Sequence, residues 1–110
     1  MTLREKQSVF LINVAKFILW INEQPGYTVT GGELWRPDEM QEIYLKEGKS
    51  KVQRSKHQDR LAVDLNLFIN GEYKIDKEGY KPLADYWESL DENNKAGYNW
   101  SWDANHFEMD

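Results

Sequence analysis

Cysteine is absent from the 110 residues, which removes disulfides, thiolate nucleophiles and thiolate zinc sites together. Any metal must be held through histidine nitrogen and carboxylate oxygen. Basic charge is also scarce: fourteen Lys and Arg against nineteen Asp and Glu leave a net charge of -5. That excludes a protein whose affinity comes from neutralising nucleic-acid phosphates over a basic face. A membrane-length apolar run is missing too. The most apolar stretch, Val9 to Ile21, is interrupted by Asn13 and Lys16. It falls short of the roughly 20 residues a bilayer span needs and is followed by no small-residue cleavage site. The expectation is a chain made in the cytoplasm without a signal peptide and not inserted into a membrane. Repeats, low-complexity tracts and linkers are lacking as well, so residues 1–110 are read as one domain with one modest core, acting as a monomer.

What the chain does hold is apolar and aromatic mass: 40% hydrophobic residues, with five Trp, six Tyr and four Phe. A chain so composed folds despite its many charges. Phe10, Val14, Phe17, Ile18 and Ile21 recur at helical spacing, with Leu11 and Ala15 beside them, and run into the breaker Pro25-Gly26. This predicts a core helix. Tyr27 to Thr30 reads as a short strand closed by Gly31-Gly32. A second helix is predicted from Pro37, with Asp38 and Glu39 where the helix dipole favours anions, Met40, Ile43 and Tyr44 as its buried stripe, and Gly48 as its stop. Residues 46–60 carry Lys46, Lys49, Lys51, Arg54, Lys56 and Arg60, a basic segment in an acidic protein. It reads either as a solvated loop or as a rim that attracts anions. Leu61 to Ile69 is the clearest strand, Asn70-Gly71 is a hairpin turn, and Glu72 to Ile75 returns. Leu83, Tyr86, Trp87 and Leu90 mark a third helix, opened near Pro82 and ended by the polar run Asp91 to Lys95. The tail, Tyr98 to Met109, reads as extended.

Only two histidines are present, in the segments SKHQDRLAVDL and WDANHFE, each beside acids. His57 and Asp64 are too far apart along any regular element to share a metal. Seven residues of strand span about 23 Å, and seven of helix rise about 10.5 Å, whereas metal donors lie about 3 to 4 Å from one another. The chain must turn at Gln58-Asp59-Arg60. On the following strand Asp64 shares a face with Ala62, while Leu61, Val63 and Leu65 face the core. His106 supplies a second imidazole. Two His and one carboxylate leave a fourth zinc position for water, the pattern of a catalytic site. Asp103, three residues before His106, is the candidate base for that water. Trp102 and Phe107 either exclude bulk water or simply pack.

These two segments resemble the signature of the D-alanyl-D-alanine metallopeptidase family, which includes D,D-dipeptidases, D,D-carboxypeptidases and phage L-alanyl-D-glutamate endolysins. The family pattern is S-x-H-x-x-G-x-A-x-D followed by [DE]-x-x-H. Ser55, His57, Ala62 and Asp64 match its first part, and Asp103 with His106 its second. The resemblance runs from about Thr30 to the C-terminus. It implies one Zn2+ per chain on His57, Asp64 and His106, with Asp103 as general base. It also implies an upstream arginine that stabilises substrate or oxyanion, for which Arg36 stands in the matching region, followed by Gln41, a candidate substrate contact, and by Tyr44. Ser55 either orients substrate or caps the turn. The family glycine falls at Arg60. Either Arg60 takes a left-handed turn position at a cost of about 1 to 2 kcal/mol, or it remodels the turn and faces the substrate.

The implied fold is α+β and hedgehog/D,D-peptidase-like: a small antiparallel sheet with two or three helices packed on one face and the metal on the other. The implied activity is hydrolysis of a peptidoglycan stem peptide, foremost the L-alanyl-D-glutamate bond, by a phage-type endolysin that reaches the wall after release. A D-alanyl-D-alanine carboxypeptidase or dipeptidase is the alternative within enzymes. An inactive zinc- or wall-binding module is the alternative outside them.

Overall fold

The computed structural model describes residues 1–110. Helix α1 spans Leu3–Glu23, opened by a Thr2 and Glu5 capping box that pairs two N-terminal amide groups. Strand β1 (Tyr27–Gly31) follows, then helix α2 (Asp38–Lys46), and then strands β2 (Ala62–Ile69) and β3 (Glu72–Tyr73). A single 3₁₀ turn (Lys77–Tyr80) leads into α3 (Lys81–Leu90), β4 (Asn94–Ala96), the one-turn helix α4 (Gly97–Trp100) and β5 (His106–Met109). The sheet runs β1-β2-β5-β4, with β3 added beside the end of β2, and every pairing is antiparallel. Asn70 and Gly71 both take positive φ, at 53° and 80°, which is the backbone a two-residue type I′ hairpin demands.

Strand alternation divides the sheet into two chemistries. Val63, Leu65 and Leu67 of β2 and Phe107 and Met109 of β5 face α1 and α3, where Phe10, Phe17, Leu83 and Trp87 complete a single core cluster. Phe17 lies edge-on to Phe107, with ring centroids 4.8 Å apart. The Trp87 indole N–H donates to the Glu108 carbonyl at 3.0 Å, tying α3 to the backbone of β5. The alternate residues, Asp64 and Asn66 of β2 and His106 and Glu108 of β5, rise from the opposite face. The architecture is thus a small α+β fold with helices on one face of an antiparallel sheet, as the sequence predicts.

Several elements depart from the sequence reading. Ile18 and Leu11 of α1 are exposed, and Asn13 is buried in their place, because Phe10, Phe17 and Ile21 define a narrower stripe than hydrophobicity alone would draw. Helix α2 has Pro37 as its N-cap and buries Gln41, while Met40 and Ile43 are exposed. It stands outside the core cluster and so has no apolar face to satisfy. Residues 94–96 form a strand rather than a helix-ending loop, and the tail contains a helical turn before β5.

Candidate metal centre and its cleft

Asp64 and His106 are register partners on β2 and β5. Their side chains therefore rise together from the open face, and Asp64 Oδ1 lies 3.2 Å from His106 Nδ1. His57 comes from the turn before β2. There the Arg60 N–H donates to the His57 carbonyl at 3.3 Å and the Leu61 N–H to the Lys56 carbonyl at 3.0 Å. That reversal, located where the sequence requires one, brings His57 Nε2 to 3.2 Å from the same Asp64 oxygen.

Each imidazole is fixed by its outer nitrogen. His57 Nδ1 is 3.2 Å from the Leu34 carbonyl. A carbonyl only accepts, so Nδ1 carries a proton and Nε2 is the nitrogen left to face Asp64. His106 Nε2 is 2.7 Å from Glu108 Oε1, which leaves Nδ1 to face Asp64. One donor atom each from His57, Asp64 and His106 lie within 4.8 Å of one another. Both 3.2 Å separations fall in the roughly 3 to 4 Å range that metal bonds of about 2.0 to 2.2 Å impose. Two imidazoles, each oriented by a partner at its outer nitrogen, and a carboxylate fit a divalent cation.

Charge in this cluster is tightly coupled. Burial disfavours ionised Asp64, but hydrogen bonds from His106 and His57 and their positive charge outweigh it and hold the carboxyl at about 2. Burial likewise opposes a charged His106, yet its bonds to Asp64 and Glu108 raise the imidazole to about 9. Asp103 moves the other way from Asp64. Burial, and then the negative charge of Asp64, raise it, with His106, His57 and Arg36 only partly offsetting the rise. A carboxyl pushed up in this manner holds a proton more readily than a free one, the direction that suits a group which must accept and return one.

Both imidazoles line a cleft of about 510 Å³, together with Arg36, Ser55, Asp103 and Trp102. Arg36 is clamped. Its guanidinium donates to Gln41 at 2.6 Å and to Glu33, and it lies 4.8 Å above the Tyr44 ring. Ser55 Oγ accepts from the His57 N–H at 3.2 Å and is itself mostly buried, so it braces the histidine turn. Gln41, read from sequence as a substrate contact, is 2% exposed. Its amide is spent on Arg36, on Ser50 Oγ and on the Val52 carbonyl, so it holds the cleft wall from behind. Arg60 takes φ 58°, the left-handed conformation that suits glycine at this turn. Its guanidinium stacks 4.5 Å over Trp35 rather than lining the cleft. Phe107 belongs to the core, whereas Trp102 is 71% exposed at the cleft wall.

Three residues here escaped the sequence reading. Glu108, the carboxylate behind His106, was findable: residues i and i+2 of a strand share a face. Gly97 and Gly32 were not, because their role depends on contacts across the fold. A Cβ on Gly97 would lie 2.1 Å from the Asp103 carbonyl oxygen and 3.2 Å from His106 Cβ, and one on Gly32 would meet Asp64 Cβ at 3.1 Å. Both glycines let backbone approach the metal-facing residues.

No family model matches the sequence, and no curated protein matches it. Among solved structures, the crystal structure of Serratia marcescens L-Ala D-Glu endopeptidase ChiX is similar in fold, with a TM-score of 0.72. The likeness covers 91% of this chain and 77% of that one, at 21% sequence identity.

Proposed function

We propose that this chain is a zinc-dependent peptidoglycan peptidase that hydrolyses the L-alanyl-D-glutamate bond of the stem peptide, in the manner of a phage-type endolysin. The observation that carries the reading is the convergence of His57, Asp64 and His106 within 4.8 Å, with both imidazoles in a cleft that Asp103 and Arg36 also line. The fold shared with an L-Ala D-Glu endopeptidase supports the choice of substrate.

His57 Nε2, Asp64 Oδ1 and His106 Nδ1 would hold the ion. When bound, Zn2+ supplies Lewis acidity, lowering the pKa of water to about 7 and polarising a carbonyl. Asp103 accepts the proton of the attacking water as its oxygen adds to the alanyl carbonyl carbon. It returns that proton to the glutamyl nitrogen as the C–N bond breaks, releasing a carboxylate and an amine. The raised affinity of Asp103 for a proton serves both transfers. Arg36, immobilised by Glu33, Gln41 and Tyr44, presents fixed positive charge toward the oxygen that becomes negative. A donor set in advance costs no reorganisation during reaction. Leu34 and Glu108 orient the imidazoles, and Ser55 secures the turn that delivers His57.

Purified protein incubated with peptidoglycan, with and without a chelator, tests the reading by mass spectrometry of the released ends. New N-terminal D-glutamyl ends that vanish with chelator and return with zinc are expected. Release of D-alanine instead would move the activity to a D-alanyl-D-alanine carboxypeptidase or dipeptidase. The absence of chelator-sensitive cleavage would remove the enzyme reading altogether.

A further inference from the structure

Five of the chain's fourteen Lys and Arg line the cleft. Lys49, Lys51, Arg54 and Lys56, all from the loop after α2, line the same cavity as His57, His106 and Asp103. The loop is not a loose tether. The buried Gln41 amide donates to Ser50 Oγ at 3.0 Å and to the Val52 carbonyl at 2.7 Å, and the Lys49 N–H donates to the Tyr44 carbonyl at 2.8 Å. These cations therefore stand at a defined place relative to the reacting centre. Most are already engaged. Arg54 pairs with Asp59 at 2.6 Å, Lys49 with Glu47 at 3.2 Å, and Lys56 approaches Asp110 at 3.8 Å. Arg36 is committed to Glu33 and Gln41. Lys51, between two of the loop's anchor points, takes part in none of the molecule's ion pairs.

Resting on the substrate reading above, we infer that Lys51 and the basic wall around it form a carboxylate subsite that selects stem peptides whose D-glutamyl residue carries a free α-carboxylate. The chemistry of the scissile bond calls for such a group. In an L-alanyl-D-glutamyl linkage continued through the γ-carboxyl, the carbon next to the leaving nitrogen bears an α-carboxylate. The cleft already holds the acids Asp103 and Glu108, so an anionic residue entering beside them needs a cation to meet it. An amidated α-carboxyl has the same shape without the charge and gains nothing from the wall.

Two synthetic stem peptides, identical except that the D-glutamyl α-carboxyl is free in one and amidated in the other, decide the matter with the zinc-loaded full chain. The free acid is expected to be cleaved with kcat/KM about tenfold or more above the amide, the worth of one charge-assisted contact. The preference should shrink as salt rises and ions screen the wall. Lys51→Gln should abolish the preference by raising KM for the acid toward that for the amide. Equal cleavage of both peptides by the wild-type chain overturns the subsite while leaving the peptidase reading intact. A preference that survives Lys51→Gln overturns the assignment to Lys51. Failure to cut either peptide at this bond overturns the subsite together with the substrate reading on which it rests.

Discussion

Asp103 and His106 sit three residues apart, yet under the proposed function they have separable duties. His106 Nδ1 faces Asp64 at 3.2 Å and is a donor to the ion, whereas Asp103 is raised by burial and by the Asp64 charge and handles the proton. Asp103→Ala is therefore expected to retain about one zinc per chain by metal analysis while losing roughly 10²- to 10⁴-fold in kcat. His106→Ala is expected to lose both metal and activity. Equal metal loss in the two would show Asp103 to be a ligand instead. Gly97 supplies an independent check, because a Cβ there would overlap the Asp103 carbonyl oxygen at 2.1 Å, a backbone atom that cannot swing aside. Gly97→Ala should displace Asp103 and cut kcat/KM by about 10²-fold, as misplacement by about 1 Å does, with circular dichroism unchanged. Gly31 is the control: a Cβ added there would meet nothing within 4 Å, and Gly31→Ala should leave kcat/KM unaltered. Donor identity and spacing were legible in the sequence because so few residues qualify: two His, no Cys, and acids at fixed offsets. The roles of Gly97, Gly32 and Gln41 were not, since each depends on which atoms lie across a gap closed only by the fold.

Between elements, the decisive feature is a break in the sheet beside β2. One edge of β2 pairs with β5 through residues 62–64 and with β3 through residues 68–69, leaving residues 65–67 without a continuous neighbour strand. Loop and side chain fill the gap: the Leu65 N–H donates to the Asn105 carbonyl at 2.9 Å, and the Leu67 N–H to the Tyr80 hydroxyl oxygen at 3.0 Å. Tyr80→Phe keeps the ring and strands that buried amide, so it should cost about 1 to 3 kcal/mol, read as a lower urea midpoint with zinc content unchanged. Sequence periodicity found α1, α3, β2 and the Asn70-Gly71 turn, because each has a strong local signal in apolar spacing or turn chemistry. It missed β4, three residues of which two are polar, because that strand exists only as a partner for β5. It also gave α2 an apolar stripe, since a pattern of Met40, Ile43 and Tyr44 does not reveal that the helix stands off the core and grips a loop through Gln41. At Arg60 the pattern marked the correct position: the turn does require positive φ, and the stack on Trp35 offsets part of the strain at about 0.5 to 1 kcal/mol.

For the molecule as a whole, under the proposed function the His57, Asp64 and His106 group would link proton binding, zinc binding and folding. In the metal-free chain His106 is raised from 6.5 to about 9, so the folded state grips its proton more tightly than the unfolded state does. The stability this gives is fully present below about pH 6.5 and is lost as pH rises through about 9. Asp64 is lowered from 3.8 to about 2, so its contribution is present above about pH 4 and is lost as pH falls through about 2. Chelated protein should consequently be most stable between roughly pH 4 and 6.5 and should show a falling Tm from pH 6.5 to 9. Zinc reverses the trend, because the ion needs the unprotonated Nδ1 of His106 and must displace that proton to bind. Its affinity rises with pH until His106 would lose that proton by itself, and tighter binding to the folded state adds stability by mass action. Calorimetric scans from pH 5 to 9, with chelator and with a fixed excess of zinc, should therefore diverge: the zinc-induced increment in Tm widens toward pH 9 while the chelated Tm declines. His106→Gln should flatten the chelated decline and abolish the increment. A wild-type increment that narrows as pH rises would mean that the proton released on binding is not the one His106 Nδ1 shares with Asp64.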